Sequence, residues 1–586
     1  MRGTCHARTY RPRGVRIARR TVRCRIRPAD PRTAAAHVQN ARHPQFPFYP
    51  PLLEFLREAA AAGEAGRAEA RATWLDAASR LHSLDYEALA RLTVTLLEHQ
   101  RYGDAAEFAS CLWRVEPEVA ALAFNCGYAL QMGGRHAEAI APYRRALELA
   151  PDWPSLRNNL AIAVRISGGD PAEELALLEQ AVAANARDEQ AWINLVVAYR
   201  ARYDLARSIA AAERALALAP DSALAQNNAS CAYKEAQRWD EAERCARRAL
   251  ALSPDDASFR FNLAIIELAR GNFADGWLGH EARWQGSSEL RGGHPALNAP
   301  RWRGEPLAGK TLLVWGEQGM GDLLQFCRAI PLLAEQVHRE GGRLAWNSFP
   351  QMGELLSRSL GAHVDLYSSD VSLDRLPAAD YQLPIGSVPW QLGLPDAASG
   401  ASVPYLRADT AARDAWRARF AAEARPGERL RVGLAWTGSA GHQRNPFRRV
   451  GLDRYATAFA GIEGVSFHSL QPGLGAEVEA ARAAGLPIVD HSAEWRSFDD
   501  TAAYLGALDL VITVCTSIAH LSGALGQASW VLLDVNPHWV WQHERRDSPL
   551  YPSATLYRQA AFMQWTPVLE AVARDLRALA GVGGAW

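Results

Sequence analysis

Residues 309 to 322, GKTLLVWGEQGMGD, carry the clearest chemical signal in the chain. An apolar run from Thr311 to Trp315 ends in a glycine-rich turn, Gly316-Glu317-Gln318-Gly319-Met320-Gly321. Asp322 then opens a helical stretch, LLQFCRAIPLLAEQ. A strand, a flexible loop and a helix start in that order put reactive groups at the carboxyl edge of a parallel sheet. Glycines let the backbone approach a ligand closely, and a helix N-terminus favours negative charge. The spacing is neither G-x-G-x-x-G nor a Walker A loop, because no GK[ST] follows. Asp322 also suits a helix N-cap, and Glu317 is a second carboxylate in the same loop.

Three further stretches carry functional residue types. In LVITVCTSIAHLSGALG, residues 510 to 526, a buried strand is expected to end at Cys515 and a helix to start at Thr516 and Ser517; its free N–H groups make a seat for a diphosphate. In WTGSAGHQRNPFRRVGL, residues 436 to 452, a strand ends at Trp436 and Gly438 permits a tight loop. His442, Arg444, Arg448 and Arg449 make that loop basic, which fits a pyrophosphate or a solvated basic surface. The stretch from Trp539 to Gln559 is dense in aromatic residues and proline and reads as a rigid loop or as core. No carboxylate pair or Asp-x-Asp motif is placed for a divalent metal, so neither metal nor cofactor is expected.

Short apolar strands alternating with helices surround these stretches. RLAWNS and HVDLYS follow the glycine loop, and LRVGLAW, SFHSLQP, LPIVDH, LVITVC and SWVLLD lie further on. The alternation argues for parallel sheets in two halves, 309–408 and 428–586, joined by a helical, alanine-rich linker over 409–427.

Upstream the pattern is helical. A helical cap is expected over 46–84, and a repeat over 85–285. Prolines at 117, 151, 220 and 254 close repeats, with first and last steps of 34 residues. Small residues recur at Ala105, Ala139 and Ala242, and at Ala146, Ala181, Ala215 and Ala249. A 34-residue pair of amphipathic helices with these features resembles the tetratricopeptide repeat, in about six units. Asn125, Asn159, Asn194, Asn228 and Asn262 recur at steps of 34, 35, 34 and 34 residues, with Arg91 at that place in the first unit. Such a column forms a ladder along one face of a superhelix. An amide offers both a donor and an acceptor, which suits a peptide backbone or an asparagine in the next repeat. The column is similar to the asparagine ladder that holds extended protein substrates in O-linked N-acetylglucosamine transferase.

A junction over 286–308 leads into the glycine loop. The run P-x-W-x-G-x-x-L-x-GKTLL, EQG-x-GD, QF-x-R, P-LL resembles bacterial proteins in which tetratricopeptide repeats are fused to a glycosyltransferase of the heptosyltransferase type, glycosyltransferase family nine. The resemblance spans about 85 to 580. It implies an α-solenoid followed by a GT-B domain of two Rossmann-like halves, the first on the acceptor side and the second on the donor side. It also implies inverting transfer from a nucleotide sugar, with Asp322 as general base. By the same resemblance Trp436, Gly438, His442, Arg448, Thr516, Ser517 and His520 contact the donor. Two departures are evident. Cys515 stands where the family has aspartate, and Arg444-Asn445 stands for an Asn-Asp pair. The ladder favours a protein acceptor, such as a flagellin or another surface protein, over a glycan or lipid-linked one. A weakened transferase serving as a peptide-binding scaffold is the alternative.

Composition fits this reading. The 586 residues exceed one domain, and 48% apolar with 22% charged residues is the profile of soluble globular protein. Lys plus Arg equals Asp plus Glu at 64 each, so no global charge points to nucleic acid. The eight cysteines show no metal or CxxC spacing, which indicates a reduced, cytoplasmic chain, and no apolar run reaches membrane-spanning length. Residues 1–45 are arginine-rich and lack an apolar core, which favours a disordered extension over a nucleic-acid or anionic-surface arm.

Overall fold

In the computed structural model, residues 49–581 are described apart from 291–294, 296, 318, 371, 373–374, 376–377 and 397. The basic extension at 1–45 and Gln318 of the glycine loop lie outside the described residues. The chain divides into two compact units, with the boundary between Pro220 and Asp221.

The first unit is helical. Two cap helices, Tyr49–Glu64 and Ala68–Ser79, precede four helix pairs: Tyr86–Glu98 with Tyr102–Val115, Ala120–Met132 with His136–Leu149, Leu156–Ser167 with Pro171–Ala184, and Glu189–Ala201 with Leu205–Leu218. Asp170, Asp188 and Asp204 cap their helices by accepting backbone N–H groups, and Pro171 occupies a first-turn position where no N–H is needed. The recurring alanines sit where helices touch, with Ala105, Ala139 and Ala146 fully buried. Gly127 allows the closest approach, since a Cβ there would lie 2.6 Å from the Tyr143 ring.

The second unit opens with two more pairs, Ala223–Glu235 with Trp239–Leu252 and Ala257–Ala269 with Phe273–His280. The repeats expected as one block therefore divide, and the last two pairs belong with the sheets. The cause is a shared core: the Trp277 indole donates to Leu394 O at 3.1 Å, and its ring meets Trp539 edge-on at 5.2 Å.

Two parallel sheets follow. The first has the order β3-β2-β1-β4, with β1 Thr311–Trp315, β2 Arg343–Asn347, β3 Leu366–Ser368 and β4 Tyr381–Pro384. The second has the order β10-β9-β8-β5-β6-β7, with β5 Leu430–Ala435, β6 Val465–Ser469, β7 Ile488–Val489, β8 Leu510–Val514, β9 Ser529–Leu533 and β10 Ala554–Arg558. Central strands β1, β5 and β8 are apolar and buried on both faces, as parallel strands under helices must be. Strand order reverses between β1 and β4 in the first sheet and between β5 and β8 in the second. Crevices for ligands open at the carboxyl ends of strands beside such reversals.

The expected linker is a helix, Thr410–Glu423, capped by Asp409. It is docked on the second half: Phe420 is buried, and Trp416 packs edge-on against Tyr504 at 4.8 Å. The helix expected after the glycine loop breaks into Met320–Phe326, a 3-10 turn at Cys327–Ala329, and Ile330–Arg339, where Pro331 starts the second segment.

Candidate functional site

The glycine loop leaves β1 at the reversal of the first sheet. Gly319 is the extended N-cap of Met320–Phe326, and the Asp322 carboxylate accepts the Gly319 N–H at 3.2 Å. Gly321 lets this helix lie against the helix Ser517–Ala524, because a Cβ there would stand 3.0 Å from Cδ2 of His520. The two halves of the unit thus meet at the expected residues. Asp322 keeps 24% of its side-chain surface exposed, and its pKa is pushed up to about 7, first by burial, with the charges of Glu317 and Glu289 adding to the rise. Capping and proton exchange are therefore compatible in one carboxylate.

Glu317 is not a rival base. Its carboxylate is fully buried and receives Arg283 Nε at 2.8 Å, Arg283 Nη2 at 2.6 Å and the Gly386 N–H at 2.6 Å. Arg283 also donates to the Ser387 hydroxyl at 2.8 Å. This cluster fastens the end of the last repeat to the loops after β1 and β4.

Across the opening, the loop after β5 is built on Trp436. Its ring belongs to the core of the second half, fully buried, and its indole N–H is given to Glu477 at 2.8 Å. The expectation that Trp436 contacts a donor is corrected: the residue at the strand end points inward, and its carbonyl anchors Val450 N. Gly438 leaves the space that the Arg448 guanidinium fills, since a Cβ there would lie 2.3 Å from Nη2 of Arg448 and displace it. The guanidinium crosses the loop there and donates Nη1 to Cys515 O at 2.8 Å. Asn445 accepts the Gly438 N–H at 2.8 Å and holds the turn.

The four cations or candidate cations of this loop differ in state. Arg444 is neutralised by Glu235 and Asp534, with contacts of 2.6 Å and 2.7 Å, and Arg449 faces Glu477 at 3.2 Å. His442 is pushed down to about 3 by burial and by Arg448. Of the three arginines, Arg448 alone has no carboxylate within 4.0 Å among the described residues. The basic-loop reading thus reduces to one available cation.

Thr516 caps the helix Ser517–Ala524 by accepting the Ile518 N–H at 3.3 Å, so β8 ends at Val514, one residue before the expected end. His520 is held through Nδ1 by the Tyr551 hydroxyl at 3.0 Å, and burial lowers it to about 3. Cys515 is buried, its thiol raised by burial, and Sγ receives the Trp541 indole N–H at 3.1 Å. Within the Trp539–Gln559 stretch, Trp541 and Tyr551 are core residues that hold Cys515 and His520. His538, missed in the sequence, stands 3.8 Å from Asp322, and burial lowers it to about 4. Among the described residues, no group of three or more His, Cys, Asp or Glu is spaced for a metal ion.

The asparagine column is divided in role. Asn194 donates to Asn158 Oδ1 at 2.8 Å, and Asn262 donates to Asn227 Oδ1 at 2.8 Å. These bonds join neighbouring repeats, the second role left open by the sequence. Asn194 and Asn228 are only 7% and 3% exposed, too buried to present an amide to an extended ligand. Asn125 and Asn159 remain half-buried.

Residues 112–154 and 227–286 match the tetratricopeptide-repeat family. The N-terminal half carries these repeats, and the paired helices agree. Protein FlbA of Caulobacter vibrioides is 28% identical over 347 residues, 55% of this chain and 55% of that protein. The chain thus spans about half the length of this curated relative. Among solved structures, the Cut9–Hcn1 hetero-tetramer of APC/C is 17% identical, covering 39% of this chain and 45% of that chain with a TM-score of 0.33. A thermophilic repeat protein of Thermus thermophilus is 22% identical, covering 29% and 92% with a TM-score of 0.27. YrrB, a repeat protein with an unusual peptide-binding site, is 18% identical, covering 31% and 92% with a TM-score of 0.26. No helix among the described residues is long and apolar enough to cross a membrane.

Proposed function

We propose that the chain is a glycosyltransferase of GT-B type that moves a sugar from a nucleotide-activated donor to a protein acceptor held by the repeats. The observation that carries this reading is the juxtaposition, at the strand-order reversals of two parallel sheets, of Asp322 with Arg448 and the Thr516-capped helix start. Asp322 titrates near 7, where a general base works best, and takes the proton of the acceptor hydroxyl as that oxygen attacks the anomeric carbon. Arg448 and the N–H groups at Ser517 receive the departing diphosphate, which stabilises developing charge with fixed donors. Gly319 carries no side chain beside the Asp322 carboxylate, which keeps that flank clear for the acceptor.

A second reading is supported by Cys515. Its buried thiol lies where the resembling family places a carboxylate, so a domain weakened in catalysis would leave a peptide-binding repeat scaffold. A thermal-shift screen against nucleotides and nucleotide sugars separates the two. A ligand at 100 times its dissociation constant adds about 2.7 kcal/mol to stability, so the transferase gives a clear rise with one base and one sugar. Absence of any shift in folded protein that binds peptide defeats the transferase reading.

A further inference from the structure

The loop that carries Arg448 is tethered from outside its own half. Arg444 donates Nη1 to Glu235 Oε1 at 2.6 Å and Nη2 to Glu235 Oε2 at 3.1 Å and Asp534 Oδ2 at 2.7 Å. Glu235 is the last residue of the helix Ala223–Glu235, in the fifth helix pair, and is 2% exposed. Asn536 adds a donor to Glu235 Oε1 at 3.2 Å. The neighbouring Gln443 gives its N–H to Glu289 at 3.2 Å and its side chain to Ser288, both in the junction that follows the last repeat. The Arg444 N–H is given to Nδ1 of His442 at 3.1 Å, which leaves the ring proton on Nε2. Arg444 is then the N-cap of the turn Asn445–Arg448, and its carbonyl accepts the Arg448 N–H at 3.1 Å. A shift of Arg444 is thereby transmitted to Arg448 through one turn of backbone.

We propose that the fifth helix pair sets the anion affinity of the α/β half, with Glu235 holding Arg444 and Arg444 acting as the positioning residue for Arg448. The proposal rests on the reading of Arg448 and the Thr516 helix start as a diphosphate site. It accounts for arginine at position 444, where the resembling family has a smaller polar residue. Arg444 meets two carboxylates, so its own charge does little for an anion nearby. Its role is geometric.

Calorimetric titration of the full chain with inorganic pyrophosphate tests this, with thermal midpoints measured on the same samples. Arg448→Met is the control for the site itself and abolishes binding. Arg444→Met weakens binding by about tenfold or more, the scale of one charge-assisted hydrogen bond lost from Arg448 to the anion. The double variant Glu235→Gln with Arg444→Met keeps the net charge of the triad and stays weakened. Glu235→Gln alone removes a negative charge, so a purely Coulombic role tightens binding, whereas lost positioning weakens it. The proposal is overturned if the double variant binds like the unaltered chain or if Glu235→Gln binds more tightly. It also falls, together with the diphosphate site, if the unaltered chain takes no pyrophosphate. Weakened binding in a variant whose thermal midpoint is unchanged supports positioning over general destabilisation.

Discussion

Nε2 of His538 lies 3.8 Å from Oδ1 of Asp322, one group from the turn after β9 and the other from the turn after β1. The pair is not an ion pair near neutral pH. Burial lowers His538 to about 4 and raises Asp322 to about 7, so between those two values the carboxyl keeps its proton and the ring stays uncharged. Near neutrality the uncharged ring therefore adds no charge to the opening beside Asp322.

Asp322→Asn tests the base. Loss of general-base catalysis costs about 100- to 10,000-fold in turnover. Donor affinity changes little, because the amide still accepts the Gly319 N–H. Full activity in this variant, measured as steady-state transfer beside calorimetric donor binding, removes Asp322 from the mechanism.

The pH dependence has two signs. Asp322 is raised from 3.8 to about 7, so the folded chain holds more protons than the unfolded one and stability falls as pH rises through that window. His442, His520 and His538 are lowered from 6.5 to about 3, 3 and 4, so their stability contribution is lost as pH falls below 6.5. Three groups outweigh one, and these residues together favour the folded chain more at pH 6.5 than at pH 4. Asp322→Asn stabilises the chain at pH 8 and not at pH 4. Thermal midpoints at both values check the sign.

Arg283→Met leaves Glu317 buried without its cation. Breaking a buried pair from one side costs about 3–5 kcal/mol, while replacing both partners by apolar residues is far milder. Denaturant unfolding of Arg283→Met, Glu317→Leu and the double variant gives a double less damaged than either single. Equal additive losses would disprove the coupling.

The asparagine column predicts a division of effects. Asn194→Ala leaves Asn158 with an unmet acceptor and costs about 1–3 kcal/mol of stability. Asn125→Ala costs little stability and weakens binding of an extended acceptor peptide. Matching losses of peptide affinity in both variants at unchanged stability would reverse the assignment.

The sequence made legible what local pattern encodes. Glycine-loop strands and helix starts lie within a few residues of one another, so Asp322, Gly438 and Thr516 stand out, and the 34-residue period exposes the helix pairs. Trp436 misled because the resemblance carries over the residue type and not the direction of its side chain, which is fully buried. His538, Arg283 and Glu235 have no local signature: their partners lie 216, 34 and 209 positions away. Strands β4 and β10 stand out less in the sequence: β4 ends in Pro384, a residue strands carry at edges, and β10 lies inside the stretch read as a rigid loop or core.

The Arg283–Glu317 bond also constrains descent. A buried cation from the end of the last repeat completes the loop after β1, so the sheets are complete only with the last repeat attached. Recombination that splices a foreign array directly onto β1 strands a buried carboxylate. Duplication or loss of whole 34-residue units ahead of Asp221 disturbs neither this bond nor the Glu235–Arg444 clamp. The length of the array upstream is thus uncoupled from both contacts, while its last two units are tied to the sheets.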